Sequence, residues 1–229
     1  MEGVLMDLAT LRRKARSFGT ILWRRFVCHR VDFVICGAAV KDHTPPAKPF
    51  ALLIEVTPMD DAAELVAWSP YLSQRDVDDF RARGGAYTAT IRDGHQLAAM
   101  NVFVRGPSTV RVEELRGVIP VEAGGHFSCR TYVDPQFRGQ ALFEQMIWAY
   151  AQTLDGDDRI WGLVLEQNQP SLRSLARNGW QDFGRWTATT RLGRHAMRRV
   201  NYDPRPIRWR DDRQAAAGDG DPRAGTGDR

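Results

Sequence analysis

Between an apolar run ending at Tyr132-Val133 and a second apolar periodicity starting at Leu142, the chain reads Asp134-Pro135-Gln136-Phe137-Arg138-Gly139-Gln140-Ala141. Asp-Pro ends a strand, and two small residues then lead into a helix. A turn of this kind leaves the first backbone N–H groups of the helix unpaired at the positive end of its dipole, an anion site suited to a pyrophosphate. Gly139 and Ala141 let a phosphate come close to the backbone. No Gly-Lys-Ser/Thr follows, so the turn is not a Walker loop. The three-glycine spacing of a dinucleotide fingerprint is also absent. Taken alone, the same eight residues equally describe an ordinary strand-to-helix connection.

A second passage narrows the reading. Gln136-x-x-Gly139-x-Ala141, after a strand ending Tyr132-Val133-Asp134-Pro135, resembles the acyl-CoA-binding Arg/Gln-x-x-Gly-x-Gly/Ala motif of the GNAT (GCN5-related) N-acetyltransferase superfamily. Downstream, after a strand over Ile160 to Leu165, Asn168, Ser171, Gly179 and Trp180 stand where that family commonly has an asparagine, a small residue and a closing Gly-aromatic pair. The resemblance covers residues 126–190 and extends more loosely over 50–104. It leaves 1–45 and 195–229 unexplained.

The resemblance implies an α/β fold: a mixed, mostly antiparallel sheet, splayed between its fourth and fifth strands and flanked by helices, with acyl-CoA in the opening. It implies that N–H groups of Phe137, Arg138, Gly139, Gln140, Ala141 and Leu142 hold the pyrophosphate, with the Arg138 side chain as a charge partner. Tyr132 and Val133 would pair with the pantetheine arm. Asn168 and Ser171 would meet the same cofactor, although Asn168 is equally placed to cap the helix that Pro170 opens.

Chemistry in that family is direct: an amine attacks the thioester, so the site must take a proton from the amine, hold an oxyanion and return a proton to the thiolate. Many members place a tyrosine acid in the short helix. Here the matching residue is Leu175, which leaves Tyr132, Ser171 or water for that task, or a domain that binds without turnover. Members often place a base near the start of the fourth strand, which makes Glu122 and His126 the candidates, with Glu166 a third. Cys129 as an acyl-carrying nucleophile would need a thiolate and an activating base, and strand alternation puts it on the opposite face from His126.

The elements that must position these residues follow from periodicity and punctuation. Leu142/Met146/Ala149 and Phe143/Ile147/Tyr150/Leu154 form two rows of one broad apolar helix face within Gly139 to Leu154. Phe50 to Val56 reads as a strand, 59–83 as helical segments broken near Ser69-Pro70, and Ala86 to Val104 as a hairpin turning at Asp93-Gly94. Arg105 to Gly125 reads as turns, and Trp180 to Arg191 as extended. At the N-terminus, Leu8, Leu11, Ala15, Phe18, Leu22 and Phe26 recur at helical spacing among Arg12, Arg13, Lys14, Arg16, Arg24 and Arg25. Such a helix packs on its own body, on a second copy in a homodimer, or against an anionic membrane surface. The expected organisation is a basic amphipathic helix plus short strand over 1–45, an acyltransferase-like domain over 46–210, and a disordered tail over 211–229.

The composition sets outer bounds. The chain has 229 residues and a net charge of +4, with both ends basic and the middle mildly acidic. Its longest apolar run, Phe33 to Val40, falls far short of the roughly 20 residues that span a bilayer. No signal-peptide pattern is visible, so the expected compartment is the cytoplasm, with peripheral contact at the inner face of the membrane through residues 8–26 as the alternative. Three cysteines without a Cys-x-x-Cys pair point to reduced thiols. Cys28, Cys36 and His43 match no ligand spacing, and no metal is expected. Stacking and base-reading motifs are missing, so nucleic acid is not the expected partner. The expected reaction is transfer of an acetyl group from acetyl-CoA to the amine of a small molecule, amino sugar or peptide. The competing expectation is a catalytically weak CoA-binding module.

Overall fold

The computed structural model describes residues 28–43, 45–46, 52–60, 62–192 and 194–208. The amphipathic segment 8–26 and the tail 211–229 lie outside them. Among the described residues, ten strands and four α-helices follow one another as β1 (Cys28–Ala39), β2 (Leu53–Pro58), α1 (Ala63–Trp68), α2 (Gln74–Ala82), β3 (Tyr87–Asp93), β4 (Gln96–Arg105), β5 (Ser108–Val112), β6 (Gly117–Val121), β7 (Gly125–Val133), α3 (Leu142–Ala151), β8 (Arg159–Leu165), α4 (Gln169–Arg177), β9 (Gln181–Arg191) and β10 (Arg194–Pro206). Eight strands form one mixed sheet in the order β10-β9-β1-β8-β7-β4-β3-β2, and β5 and β6 form a separate hairpin. All pairings in the large sheet are antiparallel except β7 with β8.

Each sheet face carries its own core. On one face, Met146, Ile147 and Tyr150 of α3 and Leu172 and Leu175 of α4 pack on Ala99, Phe103 and Ile160. Tyr150 stacks on Phe103 with centroids 3.8 Å apart. On the other, α1, α2 and the β5–β6 hairpin bury Leu65, Val77, Phe80, Val110 and Ile119 against Met100, Val102 and Phe127. Residues 105–125, read as turns, form that hairpin. Its apolar alternation, Val110, Val112, Ile119 and Val121, is too short to register between the glycines and charges around it.

The N-terminal strand departs from the expected organisation. Rather than belonging to an appendage over 1–45, β1 lies inside the sheet, paired with β8 from Phe33 to Ala39 and with β9 from Cys28 to Gly37. Phe33 to Cys36 are all buried, as a strand covered on both faces requires. Gly37 is needed there, because a Cβ at this position would lie 2.8 Å from the Ile160 carbonyl oxygen and from the Trp161 Cβ. β10 was not foreseen, since its exposed, arginine-rich sequence has no apolar face and forms a strand only through its pairing with β9.

Because β1 separates β8 from β9, removing residues 1–39 is expected to abolish the cooperative thermal transition followed by circular dichroism. Ile35→Ala, a milder lesion in the same strand, is expected to cost about 2–5 kcal/mol in urea denaturation.

Candidate functional site

Strands β7 and β8 run parallel and pair from Gly125↔Arg159 only as far as Ser128↔Gly162, although they continue to Val133 and Leu165. Beyond Ser128, the β8 side of β7 has no strand partner among the described residues. On its other side β7 stays paired to β4, with an irregularity: Val102 faces Cys129 and Met100 faces Tyr132, so Arg130 and Thr131 together oppose Asn101. Arg130 takes φ +51°, which marks the bulge.

This bulge is held by polar side chains in an otherwise apolar strand. Asn101, fully buried, donates from Nδ2 to Ser128 Oγ at 3.0 Å and accepts at Oδ1 from Thr131 Oγ1 at 2.5 Å. On the opposite face, Arg130 Nη2 donates to Asp76 Oδ1 at 2.5 Å. The other oxygen of Asp76 accepts from the Ser73 N–H and hydroxyl, closing the capping box of α2. Burial alone would raise the Asp76 pKa, but these hydrogen bonds outweigh it and hold the carboxyl below its ordinary value. The lone polar residue in Leu97–Val104 was the available signal for Asn101, because a buried amide needs partners.

The bulge also shifts the alternation by one residue. Tyr132 therefore sits on the face of α1 and α2, where its ring meets Trp68 at 4.9 Å and Tyr71 at 5.7 Å, edge to face. Leu163 and Leu165 of β8 pack on the same face. Val133 falls on the face of α3 and α4. The open stretch of β7 thus has an aromatic side and a helical side.

At the end of β7, Asp134 caps a short 3-10 turn over Pro135–Phe137 by accepting from the Gln136 N–H at 3.0 Å. Arg138, exposed, turns its Nε back to the Val133 carbonyl at 3.5 Å. Gly139 has φ +81° and a Cβ there would meet nothing within 4 Å, so the position needs glycine for its backbone and leaves open space above it. Ala141, also left-handed at φ +59°, stands at the N-cap of α3 without a capping side chain. Among the described residues the backbone N–H groups from Gln140 through Glu144 have no acceptor. Glu144 directs its carboxylate to the Ser174 hydroxyl of α4.

The remaining sequence candidates divide by position. Asn168 caps α4, its side chain accepting from the Ser171 N–H at 3.3 Å, and both residues lie where β8 passes into α4. Leu175 is buried against the sheet. Glu166 follows β8 and lies 3.7 Å from the Arg185 guanidinium. Glu122, exposed, and His126 stand at the start of β7, where β7 and β8 are still paired. At about 3.3 Å per residue, His126 is roughly 23 Å along the strand from Val133.

His126 is sealed as well as distant, which corrects its assignment as the base. It has no exposed surface, and both ring nitrogens are engaged: Nε2 with Asp158 Oδ2 at 3.1 Å and Nδ1 with the Tyr150 hydroxyl at 2.9 Å. A carboxylate only accepts, so Nε2 carries the hydrogen and the Tyr150 hydroxyl donates to Nδ1. Burial pushes the imidazole pKa down against the opposing pull of Asp158, and it raises that of the Tyr150 phenol. Burial also pushes the Cys129 thiol up to about 12, which keeps it protonated and removes it as a nucleophile.

No family model matches the chain. Intercellular adhesion molecule 5 of rabbit, Oryctolagus cuniculus, is 29% identical over 141 residues, 56% of this chain and 16% of that protein, so the chain spans about a sixth of that relative's length. Among solved structures, a functionally unknown conserved protein from Staphylococcus epidermidis ATCC 12228 is similar at a TM-score of 0.51 and 10% identity, over 86% of this chain and 69% of that one. A Drosophila protein gives 0.45 and 13%, over 82% and 59% of the two chains. A GCN5-related N-acetyltransferase from Kribbella flavida gives 0.40 and 12%, over 76% and 70%. The similarity to the staphylococcal protein is one of fold.

His126→Gln is expected to lower stability by about 1–3 kcal/mol, because it leaves the groups of Tyr150 and Asp158 poorly matched in a buried place. With its folded pKa depressed, the imidazole favours the native state fully above its ordinary value. That contribution falls as pH drops through the ordinary value toward the folded one. Urea denaturation between pH 7.5 and 5 should show the decline in the parent chain and a flatter profile in the variant.

Proposed function

We propose that this chain is an acyl-CoA-dependent N-acyltransferase, moving an acetyl group from acetyl-CoA to a primary amine by direct attack. The observation that carries this reading is the uncapped N-terminus of α3, formed by Gly139 and Ala141 in left-handed conformations, beside the stretch of β7 that has parted from β8. Consecutive N–H groups without acceptors at a helix N-terminus suit a pyrophosphate, and the open space above Gly139 admits one. The GNAT-like residues 136–141 form this turn, and of those in 168–180 Asn168 caps α4, Ser171 lies in it and Gly179 and Trp180 follow it.

In this reading, the turn from Phe137 through Leu142 receives the pyrophosphate, the N–H groups from Gln140 onward donating and the Arg138 side chain beside them, while the N–H groups of Phe137 and Arg138 are spent on the Asp134 and Pro135 carbonyls. The edge of β7 at Tyr132 and Val133 receives the pantetheine arm as an added strand would be received. Asn168 and Ser171 line the β8 side. The amine nitrogen attacks the thioester carbonyl carbon, forming the C–N bond and placing negative charge on the oxygen. Collapse breaks the C–S bond. Tyr132 gives its proton to the departing thiolate, and the amine loses its proton to solvent, since His126 is sealed at the other end of the strand. The rings of Trp68, Tyr71 and Tyr132 favour an amine carried on an apolar or aromatic group over an amino sugar.

A second reading, a module that binds acyl-CoA without turning it over, is favoured by Leu175, whose buried side chain occupies the place of the usual acid. Calorimetry with acetyl-CoA, followed by thiol release with phenethylamine and glucosamine, separates the two. Gly139→Glu is expected to weaken acetyl-CoA binding at least tenfold. Gly139→Ala, which meets backbone strain of about 1–2 kcal/mol but adds no charge, should weaken it less. Unchanged affinity in Gly139→Glu would overturn the phosphate assignment. Tyr132→Phe should lower kcat at least tenfold with affinity within twofold, and phenethylamine should be the better acceptor. Binding without thiol release from any amine would establish the module instead.

A further inference from the structure

Beyond β1, the far end of the sheet presents a face that nothing described covers. Directly paired residues of antiparallel strands share a face, which groups Arg191 and Arg194, then Arg30, Thr189 and Ala196, then Asp32, Thr187 and Arg198. The intervening residues point the other way. His195 there lies with Nε2 2.6 Å from the Leu115 carbonyl, beneath the β5–β6 hairpin. Residues 194–201 of β10 are exposed throughout.

Charge on the open face is one-sided. Arg30 is matched by Asp32 at 2.8 Å, and Asp32 is further held by the Thr187 hydroxyl at 2.7 Å. Among the described residues Arg191, Arg194 and Arg198 make no ion pair, although all three are exposed. Arg191 and Arg194 are cross-strand neighbours, about 5 Å apart at the backbone, and Arg198 is about 13 Å further along β10. Between the first two, at the tip of the β9–β10 hairpin, Leu192 is 76% exposed. An apolar apex flanked by guanidinium groups fits the boundary of a lipid layer, with the leucine in the acyl region and the arginines at phosphates.

Cys28, the first residue of β1, pairs with Arg191 at this same end of the sheet. We propose that the open face of β1, β9 and β10, with Leu192 at its tip, docks on an anionic membrane surface. The charge complementarity is to lipid phosphates, and the exposed leucine distinguishes a bilayer from a soluble polyanion. The inference does not depend on the acyltransferase reading.

The test is co-sedimentation of the full chain with vesicles of 30% phosphatidylglycerol in phosphatidylcholine, against vesicles of phosphatidylcholine alone. Each arginine near an anionic bilayer is worth about a fivefold change in partitioning. Binding is expected to the anionic vesicles only and to weaken steeply with salt. Replacing Arg191, Arg194 and Arg198 together by Ala should reduce it at least tenfold, with the thermal transition and circular dichroism spectrum unchanged. Leu192→Asp should weaken binding with all arginines in place. Equal binding to both vesicles, or parent-level binding by the triple variant, would overturn the proposal. So would displacement from the vesicles by an equal charge concentration of duplex DNA, which would make the face a general polyanion surface. Displacement by millimolar inorganic phosphate would reduce it to a simple anion site.

Discussion

The structure turns on the unequal support of β8. On one side it is paired with β1 along nearly its whole length, and on the other it holds β7 only as far as Gly162. The two pairings of β8 thus end at different points, Leu165 on the β1 side and Gly162 on the β7 side. β7 is fixed independently by β4 and by the bulge at Arg130. Beyond Ser128 the β8 side of β7 therefore has no strand partner among the described residues, and unpaired backbone groups in a sheet cost hydrogen bonds unless something meets them.

The polar groups buried around β7 are understandable as supports for this divergence. Asn101 satisfies Ser128 and Thr131 at the bulge, and the Asp76–Arg130 pair ties the start of α2 to the same point. At the closed end, Tyr150 and Asp158 complete the hydrogen bonds of His126 where β7 and β8 enter the sheet together. Polar groups in such places are stable only when every member finds a partner, and once satisfied they define one geometry in place of several. The start of α3 is different: among the described residues its backbone N–H groups from Gln140 through Glu144 have no acceptor.

The resulting body has two surfaces of distinct character. Along β7 beyond Ser128, the rings of Trp68, Tyr71 and Tyr132 lie on one face and Val133 on the face of α3 and α4. At the far edge, β10 adds arginines to a face that α3 and α4 do not reach.

Sequence reasoning identified the elements that depend on local signals. The Asp93-Gly94 turn, the apolar rows of α3, the Asn168-Gln169-Pro170 start of α4 and the glycine turn at 139 are each specified by residues within a few positions of one another. The turn at 134–141 and its GNAT-like spacing were therefore legible. Tertiary structure decided what depends on distant partners: the place of β1 between β8 and β9, the existence of β10, and the fate of His126. Strand order is set by which edges meet across more than a hundred residues, and periodicity within a strand carries no record of its neighbours. Likewise a bulge, opposite a residue some 30 positions away, decides which face Tyr132 presents. The types of the residues were enough to propose a chemistry. Which of them could meet a substrate depended on burial, and burial belongs to the fold as a whole.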